Sequence, residues 1–537
     1  MADMILYNGS IYTMEAPGAR AEAIAIEGNR IRAVGSLREV LPLAGANTRM
    51  IDLSGKCALP GFNDSHCHVV LTGMESVKVC LRGVRSIEEM IERMRRFIEA
   101  RHIPEGEWVV GSGYDHLLFD QPRQPSRADL DRVSTRHPIM VDRICGHIGA
   151  ANSLALVRVG FDEHTVIEGE GGIMEKDASG RLSGVLVETA RDVMANRMPK
   201  RTAAALAPLI RGVFEEASSY GVTSMQTDDL EAAPIGEIMA AYRRLKDEGA
   251  ATVRIWEEVQ CPRPKALRQF LALGMRTGDG DGFFKIGNIK IITDGSLGAR
   301  TACMQADYAD ALGERGVSVY TQDDLDALIL EAHLAGMQVA CHAIGDGAAA
   351  QCVHAMAVAR AADGVDMRNR IVHCQFADDA LLDRMASEGI CADIQPAFVP
   401  SDYLMAEARM GARCDIGYRW RSMARRGIHM GGGSDSPVET FNPIWGIDCA
   451  VNRTDRAGLP EGGWHPGERL SVWEAVRLYT AEGAYLTFEE REKGMLKPGM
   501  LADIAVLDRD IFAVPPETIR EIRNVMTVMD GKIVYTA

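Results

Sequence analysis

The stretch ALPGFNDSHCHVV places two histidines, His66 and His68, two residues apart at the end of an apolar run that is typical of a strand. Side chains at positions i and i+2 of a strand point to the same side, so the two imidazoles are aimed at one point. Two converging imidazoles can bind the same divalent metal ion. Cys67 lies between them and is expected to face away, so we do not count it as a ligand. Paired histidines also occur on exposed strand ends, and that alternative stays open for the motif taken alone.

Further titratable residues follow apolar runs elsewhere in the chain. If these runs are parallel strands of a barrel, the residues all lie at carboxyl ends, where barrel enzymes assemble their sites. A single histidine beside apolar residues is more often a satisfied core group, but repeated coincidence at the same strand end favours one shared site. The residues concerned are His66 and His68 on the first strand, Lys290 on the fourth, His342 on the fifth, His373 on the sixth and Asp435 on the eighth.

The segment GFFKIGNIKIITDG places Lys290 within an apolar strand, where an unpaired ammonium is costly to bury. Strand parity puts Lys290 on the same face as Asn288 and Asp294, and puts Lys285 on the other face. Two explanations for its charge stay open. Lys290 forms an ion pair with Asp294 or Asp435, or it is carbamylated by CO2, which makes it an anionic group able to bridge two metals.

The elements that must position these residues alternate between strands and helices. Helical stretches such as LDALILEAHLAG and DALLDRMASEG supply the crossovers that parallel strands require. The chain is therefore predicted to be an α/β protein with a (β/α)8 TIM-like barrel. The eight predicted strands lie in CALPGFND, VTSMQTDD, TVRIWEEV, IGNIKIITD, MQVACHAIG, RIVHCQ, ICADIQPAF and IHMGGGSD.

Both ends of the chain alternate apolar and polar residues between turn residues, which is typical of strands and hairpins. Neither end is long enough for its own core. Residues 1–57 and 488–537 are therefore predicted to form one composite β-sandwich domain, and residues 58–487 the barrel. The predicted turns are Asn8-Gly9, Glu27-Gly28 and Asp530-Gly531.

About 150 residues separate the first predicted strand from the second, far more than one helix and its loops require. An inserted subdomain is predicted at about residues 72–200, with a hairpin that turns at Gly180. Insertions after barrel strands rise from the face that carries the active site, so this one is either a lid over the site or an oligomer contact.

Composition restricts the classes of partner. The chain has 537 residues, 47% of them hydrophobic, and a formal net charge of −16, which argues against nucleic acid as a ligand and favours a small molecule. The twelve cysteines show no paired spacing, and the N-terminal residues do not resemble a signal peptide, so a cytoplasmic location is expected. No apolar run is long enough to predict a membrane span. A homodimer is the default expectation for the oligomeric state.

Six segments together resemble the amidohydrolase superfamily, in particular the large branch that includes N-substituted formamide deformylase and is related to D-aminoacylases. The similarity covers nearly the whole chain. Its most discriminating part is DGSLGARTA, with Lys290 four residues before its Asp. The six segments are PGFNDSHCH, NIKIITDGSLGARTA, CHAIGD, IVHCQ, GGSDSP and GMLKPGMLADIAVLD.

The resemblance implies a ligand set for two metals. Zinc is the expected ion, because imidazole and carboxylate-type ligands suit it, with manganese, iron or cobalt as alternatives. Some relatives work with one metal, so the number of ions stays open. By the resemblance, His66, His68 and Asp435 hold the more buried metal, His342 and His373 hold the second, and carbamylated Lys290 bridges them.

The implied chemistry is attack of metal-activated hydroxide on a carbonyl carbon. Asp435 is the expected base, which accepts the proton of the water and passes it to the departing nitrogen. His147 either hydrogen-bonds the oxyanion or is structural, and Asp294 either orients a ligand or caps a helix. Arg300 and Arg143 are candidate anchors for a substrate carboxylate, with surface ion pairs as the alternative.

The leading functional hypothesis is a metal-dependent hydrolase of the C–N bond of a small amide: N-formyl, N-acyl or cyclic. A deaminase of a heterocyclic amine on the same scaffold is the second hypothesis. The lysine at the bridging position favours the first, because single-metal deaminases need no bridge. A non-catalytic regulator of the same fold is the third, and the intact set of ligands with Asp435 argues against it.

Overall fold

The computed structural model describes residues 1–167 and 172–537, and the chain divides into two compact units. One unit comprises Met1–Thr72 and Thr202–Ala537, and the other comprises Gly73–Arg201. Among the described residues, no helix combines the length and the apolar character needed to cross a bilayer.

Eight parallel strands of the larger unit form a nearly closed barrel, which confirms the predicted architecture. The last strand approaches the first through the backbone, because the amides of Ser434 and Asp435 both donate to the carbonyl of His66, at 3.2 and 2.8 Å. Barrel strands 1 to 8 are Phe62–Cys67, Val222–Thr227, Arg254–Gln260, Phe284–Ile292, Val339–Ala343, Arg370–His373, Cys391–Ile394 and Met430–Gly432.

Helices connect the barrel strands, and local sequence signals fix their ends. The helix Asp379–Glu388 begins after Asp378, whose carboxylate accepts the amide of Leu381 at 2.8 Å, and it ends at Gly389 in the left-handed conformation. The helices of this unit that follow barrel strand 1 are Val69–Glu75, which runs across the division between the units, Ala203–Ser219, Ile235–Asp247, Pro264–Leu271, Gln322–Leu334, Asp346–Asp363, Asp379–Glu388, Phe398–Met410, Trp420–Arg425, Pro443–Asn452, Val472–Leu478 and Ala481–Leu486.

Strands from both ends of the chain share one eight-stranded sheet. Its apolar face buries Leu6, Ile24, Ile504 and Val528 in one cluster. The sandwich form and the boundaries of this domain stay predictions. The strands are Met4–Tyr12, Arg20–Glu27, Arg30–Gly35, Arg49–Asp52, Cys57–Pro60, Ile504–Leu507, Asn524–Met529 and Lys532–Thr536.

One predicted turn is wrong. Asn8-Gly9 lies inside the strand Met4–Tyr12, at an irregularity in its pairing with the next strand, and Asn8 has a φ of 59°. A left-handed residue there makes a bulge rather than a reversal of the chain. Glu27-Gly28 and Asp530-Gly531 do connect antiparallel strands.

The smaller unit, Gly73–Arg201, contains a six-stranded sheet. The predicted hairpin is present, with Gly180 in its turn. The strands in sheet order are Ile173–Lys176, Leu182–Val187, Ile148–Ala151, Ile139–Arg143, Val109–Tyr114 and Val79–Cys80, and the helices are Ile87–Ala100, Arg127–Val133, Ser153–Val159 and Thr189–Arg197.

A buried ion pair joins barrel strand 3 to the terminal sheet, and its loss is expected to destabilise the larger unit. Arg254 lies 2.7 Å from Asp503 and 3.0 Å from Asp530, and the side chains of Arg254 and Asp503 are each 5% exposed. Arg254→Met leaves buried carboxylates without their cation, so we expect a loss of about 3–5 kcal/mol. The measurement is the midpoint of unfolding in urea, monitored by circular dichroism. Arg96→Ala, at an exposed residue, is the control, and its midpoint should change little. Equal midpoints for the two variants would contradict this role.

Candidate metal centre

Three of the predicted ligands converge at the mouth of the barrel. His66 is the last residue but one of barrel strand 1, which ends at Cys67, and His68 follows that strand. Asp435 follows barrel strand 8. One carboxylate oxygen of Asp435, Oδ1, lies 3.4 Å from Nε2 of His66 and 3.2 Å from Nε2 of His68. The donor atoms of the three residues all lie within 4.8 Å of one another, which is the spacing of groups that could share one cation.

The other three predicted residues border this group. The ring of His373 lies 5.8 Å from that of His66 and 4.5 Å from that of His342, measured between centroids. Nζ of Lys290 lies 3.0 Å from Nε2 of His66. The structure thus brings together six side chains that come from barrel strands 1, 4, 5, 6 and 8 or from the residues directly after them.

Each of the four histidines presents Nδ1 to an oxygen atom. Oxygen acceptors at this nitrogen fix the proton on Nδ1 when the ring is neutral, which leaves the lone pair on Nε2. The contacts are His66 with Glu258 Oε2 at 3.1 Å, His68 with the carbonyl oxygen of Asp228 at 2.8 Å, His342 with Asp294 Oδ1 at 3.0 Å, and His373 with Gln395 Oε1 at 2.8 Å.

These contacts test whether the residues suit a metal. Neutral His66 and His68 with the proton on Nδ1 would direct the lone pairs of Nε2 at an oxygen of Asp435, and such facing acceptors are favourable only with a cation or a proton between them. Metal-binding histidines characteristically donate their second N–H to a carboxylate or a carbonyl. The donor set of imidazole and carboxylate therefore fits a divalent transition metal such as zinc.

The electrostatics around Asp435 favour positive charge at this point. Burial raises the pKa of Asp435, but hydrogen bonds from His66 and His68 outweigh burial and hold it well below its ordinary value. Burial lowers the pKa of His68, yet the hydrogen bond to Asp435 and its charge raise it to about 9. Burial, reinforced by the charge of His342, lowers the pKa of His373 well below its ordinary value, so this ring stays neutral and able to donate a lone pair.

Lys290 is neutralised by a residue that the sequence reasoning missed. The predicted ion pair with Asp294 or Asp435 is not what the structure shows, because Nζ of Lys290 lies 3.6 Å from Oε2 of Glu258. Glu258 also accepts from Arg370 at 2.9 Å, and all three side chains are almost completely buried. Burial raises the pKa of Glu258, but the charges of His66, Lys290 and Arg370 outweigh it and hold the pKa far below its ordinary value.

The backbone before Asp435 passes very close to His66. A Cβ atom on Gly433 would lie 2.8 Å from the amide nitrogen of His66, so only glycine allows this approach. Asp435 itself has a φ of 56°, a left-handed conformation that is strained for a residue other than glycine. The close approach and the hydrogen bond to the carbonyl of His66 hold the carboxylate against the two imidazoles.

Asp294 orients His342 rather than capping a helix. Its Oδ1 accepts from Nδ1 of His342 at 3.0 Å, and its oxygens also accept from the amides of Ile344, Gly345 and Cys303. No helix begins at Asp294, since the next described helix starts at Gln322. Four donors at one carboxylate fix both Asp294 and the imidazole that it holds.

The remaining predicted site residues already have charged partners. Arg300 donates to Asp310 through Nε and Nη2, at 3.1 and 2.9 Å. In the smaller unit, Arg143 pairs with Asp115 at 2.9 Å, and the exposed His147 lies 2.9 Å from Glu188. Roles for these three residues toward a substrate stay predictions.

The chain is similar in sequence and in structure to known hydrolases. The sequence model of the amidohydrolase family matches residues 49–535. The chain is 31% identical over 534 residues to the protein YtcJ of Bacillus subtilis, with 99% of each chain covered. It is 27% identical over 565 residues to the N-substituted formamide deformylase of Arthrobacter pascens, with 100% of this chain and 98% of that one covered. A metal-dependent hydrolase from Pyrococcus furiosus has a similar structure, with a TM-score of 0.79 and 29% identity over 95% of this chain and 99% of that one.

Glu258 is expected to set the metal affinity of the site through His66. In Glu258→Gln the charge that balances Lys290 and Arg370 is lost, and the neutral amide oxygen is a weaker acceptor for Nδ1 of His66 than the carboxylate. We expect the affinity for a divalent metal to fall by about 10–100-fold. The measurement is metal retained per chain, by mass spectrometry, after dialysis against a competing chelator.

The adjacent Glu257 provides a matched control. It is equally buried and accepts the amide of Asp229 at 3.2 Å, and burial together with the charge of Asp229 raises its pKa well above the ordinary value. Burial thus favours the uncharged form of Glu257, and Glu257→Gln, which is uncharged as well, should keep the wild-type affinity. If Glu258→Gln bound metal as tightly as Glu257→Gln, the positioning role would be refuted.

Proposed function

Because this chain belongs to the amidohydrolase family, we propose that it is a metal-dependent hydrolase that cleaves the C–N bond of a small amide. The substrate classes proposed are N-formyl, N-acyl and cyclic amides. The similarity to N-substituted formamide deformylase supports an amide as the substrate. Because that relative is named for formamides, they are the first substrates to test.

One observation carries the proposal: all four histidines present Nδ1 to an oxygen 2.8 to 3.1 Å away, so Nε2 is the nitrogen of each ring that is placed to bind a metal. An imidazole buried for packing alone needs no common orientation of this kind. Nε2 of His66 and Nε2 of His68 also face the Asp435 carboxylate, whose pKa is strongly lowered, and this gives the site the charge that a divalent cation requires.

We assign His66, His68 and Asp435 to one metal and His342 and His373 to a second, with zinc as the ion. When bound, such a metal supplies Lewis acidity toward a carbonyl and lowers the pKa of a water molecule toward neutrality. The side chains of His68, His342 and Asp435 are between 13% and 17% exposed, whereas that of His66 is 1% exposed, so a substrate reaches the site from the side of the first three.

Lys290 is proposed to carry a carbamate that joins the two positions. The ammonium first loses a proton, and the neutral amine then adds to CO2 and loses a second proton, so a cation becomes an anion with two oxygen atoms. Its place beside Nε2 of His66 supports this assignment, because an ammonium there would repel a bound metal. Glu258, at 3.6 Å, balances the ammonium before carbamylation.

Asp435 is proposed as the general base. Its carboxylate lies at the accessible edge of the site and is held by the backbone and by two imidazoles, so it is positioned to accept a proton from the attacking water. It then delivers that proton to the departing nitrogen, which would otherwise leave as an unstable amide anion. Asp294 keeps His342 in place throughout.

Loss of the base is expected to abolish most of the activity. Asp435→Asn keeps the shape of the side chain but cannot accept the proton, so turnover of N-formyl and N-acyl amines should fall by about 10²–10⁴-fold. The measurement is amine release from a panel of formamides, N-acyl amino acids and cyclic amides by metal-loaded protein. Asp383→Asn, an exposed substitution of the same kind, should retain wild-type activity.

The same panel separates the alternatives. Unchanged turnover by Asp435→Asn, with its metal content equal to that of wild type, would refute the assigned base. Release of ammonia from heterocyclic amines, with no amide hydrolysed, would favour the deaminase hypothesis instead. Metal-loaded protein that turned over neither class would leave only the non-catalytic alternative.

The bridging role of Lys290 predicts a change in metal content. Removal of metal with a chelator should abolish activity, and Zn²⁺ should restore it. Lys290→Met cannot form a carbamate, so it should hold about one metal per chain where wild type holds two. Lys285→Met is the matched control, since Lys285 lies on the same strand but pairs with Glu489 at 2.7 Å. Equal metal content in wild type and Lys290→Met would rule out the bridge.

A further inference from the structure

A cavity of about 360 Å³ lies in the larger unit, between the terminal sheet and the helix Val472–Leu478. None of the residues assigned to the metal centre lines it. Cavities that hold small ligands in proteins are typically of about 300–1,000 Å³, with apolar walls and a few polar groups that fix the orientation of the ligand. The lining residues are Tyr12, Pro17, Gly18, Arg20, Trp473 and Phe512.

Three aromatic rings form the walls of this cavity, and each comes from a different part of the chain. The ring of Tyr12 lies 4.3 Å from that of Phe512, and the ring of Phe512 lies 6.3 Å from that of Trp473, measured between centroids. Tyr12 ends the first strand of the terminal sheet, Trp473 lies in the first turn of its helix, and Phe512 follows the strand that ends at Leu507. Trp473 and Phe512 are only half-buried, so parts of both rings are available to a ligand.

Hydrogen bonds fix these walls in place. One carboxylate oxygen of Asp510 accepts the hydroxyl of Tyr12 at 2.9 Å, and the other accepts the backbone amide of Phe512 at 3.0 Å. The helix that carries Trp473 begins with a capping box at Ser471, which fixes its first turn. Because the walls are already ordered, a ligand that enters between them loses little free energy to the ordering of the protein.

Arg20 gives the cavity a positive charge. Among the described residues that line the cavity it is the one charged side chain, and its guanidinium carbon lies 5.9 Å from the centroid of the Tyr12 ring. Arg20 forms no ion pair with a carboxylate in the described part of the chain. Two carboxylates of this region have other partners, since Asp510 binds Tyr12 and Glu15, in the same hairpin as Arg20, pairs with Lys497 at 3.1 Å. The charge of Arg20 is therefore available to an anion in the cavity.

We infer that this cavity binds a small planar aromatic carboxylate, with its ring against Trp473 and Phe512 and its carboxylate on Arg20. Aromatic pairs attract each other beyond the effect of the area that they bury, so the walls favour a flat ring over an aliphatic chain. A guanidinium binds a carboxylate through two parallel N–H···O bonds, and it repels a cationic ligand. The inference concerns a site separate from the metal centre and does not depend on the proposed activity.

The test is isothermal titration calorimetry of the full-length protein with naphthoate and two analogues of similar size. Naphthoate should bind in a saturable way. Naphthamide, which has the ring but no charge, should bind about 10–100-fold more weakly. Decahydronaphthoate, which has the charge but no aromatic ring, should bind about 2–10-fold more weakly. Absence of naphthoate binding, or equal affinities for naphthoate and naphthamide, would overturn the site.

Substitutions locate the binding. Arg20→Gln changes an exposed residue and should fold, but its affinity for naphthoate should fall about 10–100-fold while that for naphthamide stays the same. Arg32→Gln, at an exposed arginine of the same sheet that pairs with Glu27, is the matched control and should keep the wild-type affinity. Trp473→Leu removes one wall and should weaken both ligands. Wild-type affinity in Arg20→Gln would place the carboxylate elsewhere, the metal centre included, and equal losses in the two arginine variants would show a general effect of charge. Either result would refute the site.

Discussion

Each of the four histidines can offer only one ring nitrogen to a cation, because the other is already held by an oxygen of the barrel. These oxygens come from barrel strand 3, which contains Glu258, and from residues after strands 2, 4 and 7, namely the carbonyl of Asp228, Asp294 and Gln395. The direction of the donor atoms is therefore a property of the whole strand arrangement and not of the histidines themselves. A small slip of any supporting strand would turn a lone pair away from the common point.

Much of this arrangement could be predicted, because it depends on patterns that repeat over a few residues of the sequence. Alternation along barrel strand 4 correctly separated Lys290, which is buried against His66, from Lys285, which pairs with Glu489. The eight apolar runs each gave one strand, and residues at their ends necessarily meet when parallel strands close on themselves. Neither inference depends on knowledge of the side-chain contacts.

The partners that hold the site could not be predicted in the same way. Glu257 and Glu258 are adjacent, so alternation sends one inward, but the pairing of barrel strand 3 with strand 4 is irregular between Glu257 and Val259. Because of this register shift, the alternation of side chains along the strand cannot tell which of the two glutamates points inward. The contact of Arg370 with Asp393 joins two strands, and that of His373 with Gln395 joins a strand to the residue after the next strand. The sequence carries no local signal of either contact.

The charges around the site bear on the number of metals that it can hold. Four carboxylates contact a ligand or a buried cation: Glu258, Asp294, Asp393 and Asp435. Set against the guanidinium of Arg370 and the ammonium of Lys290, and with the histidines neutral, they leave two negative charges, which one divalent ion neutralises. The proposed carbamylation of Lys290 would replace a positive by a negative charge and so add two more negative charges. That is the charge of a second divalent ion, and buried charges are stable only when they are balanced. Modification of the lysine and binding of the second metal are therefore expected to occur together, each being costly in the low-dielectric interior without the other.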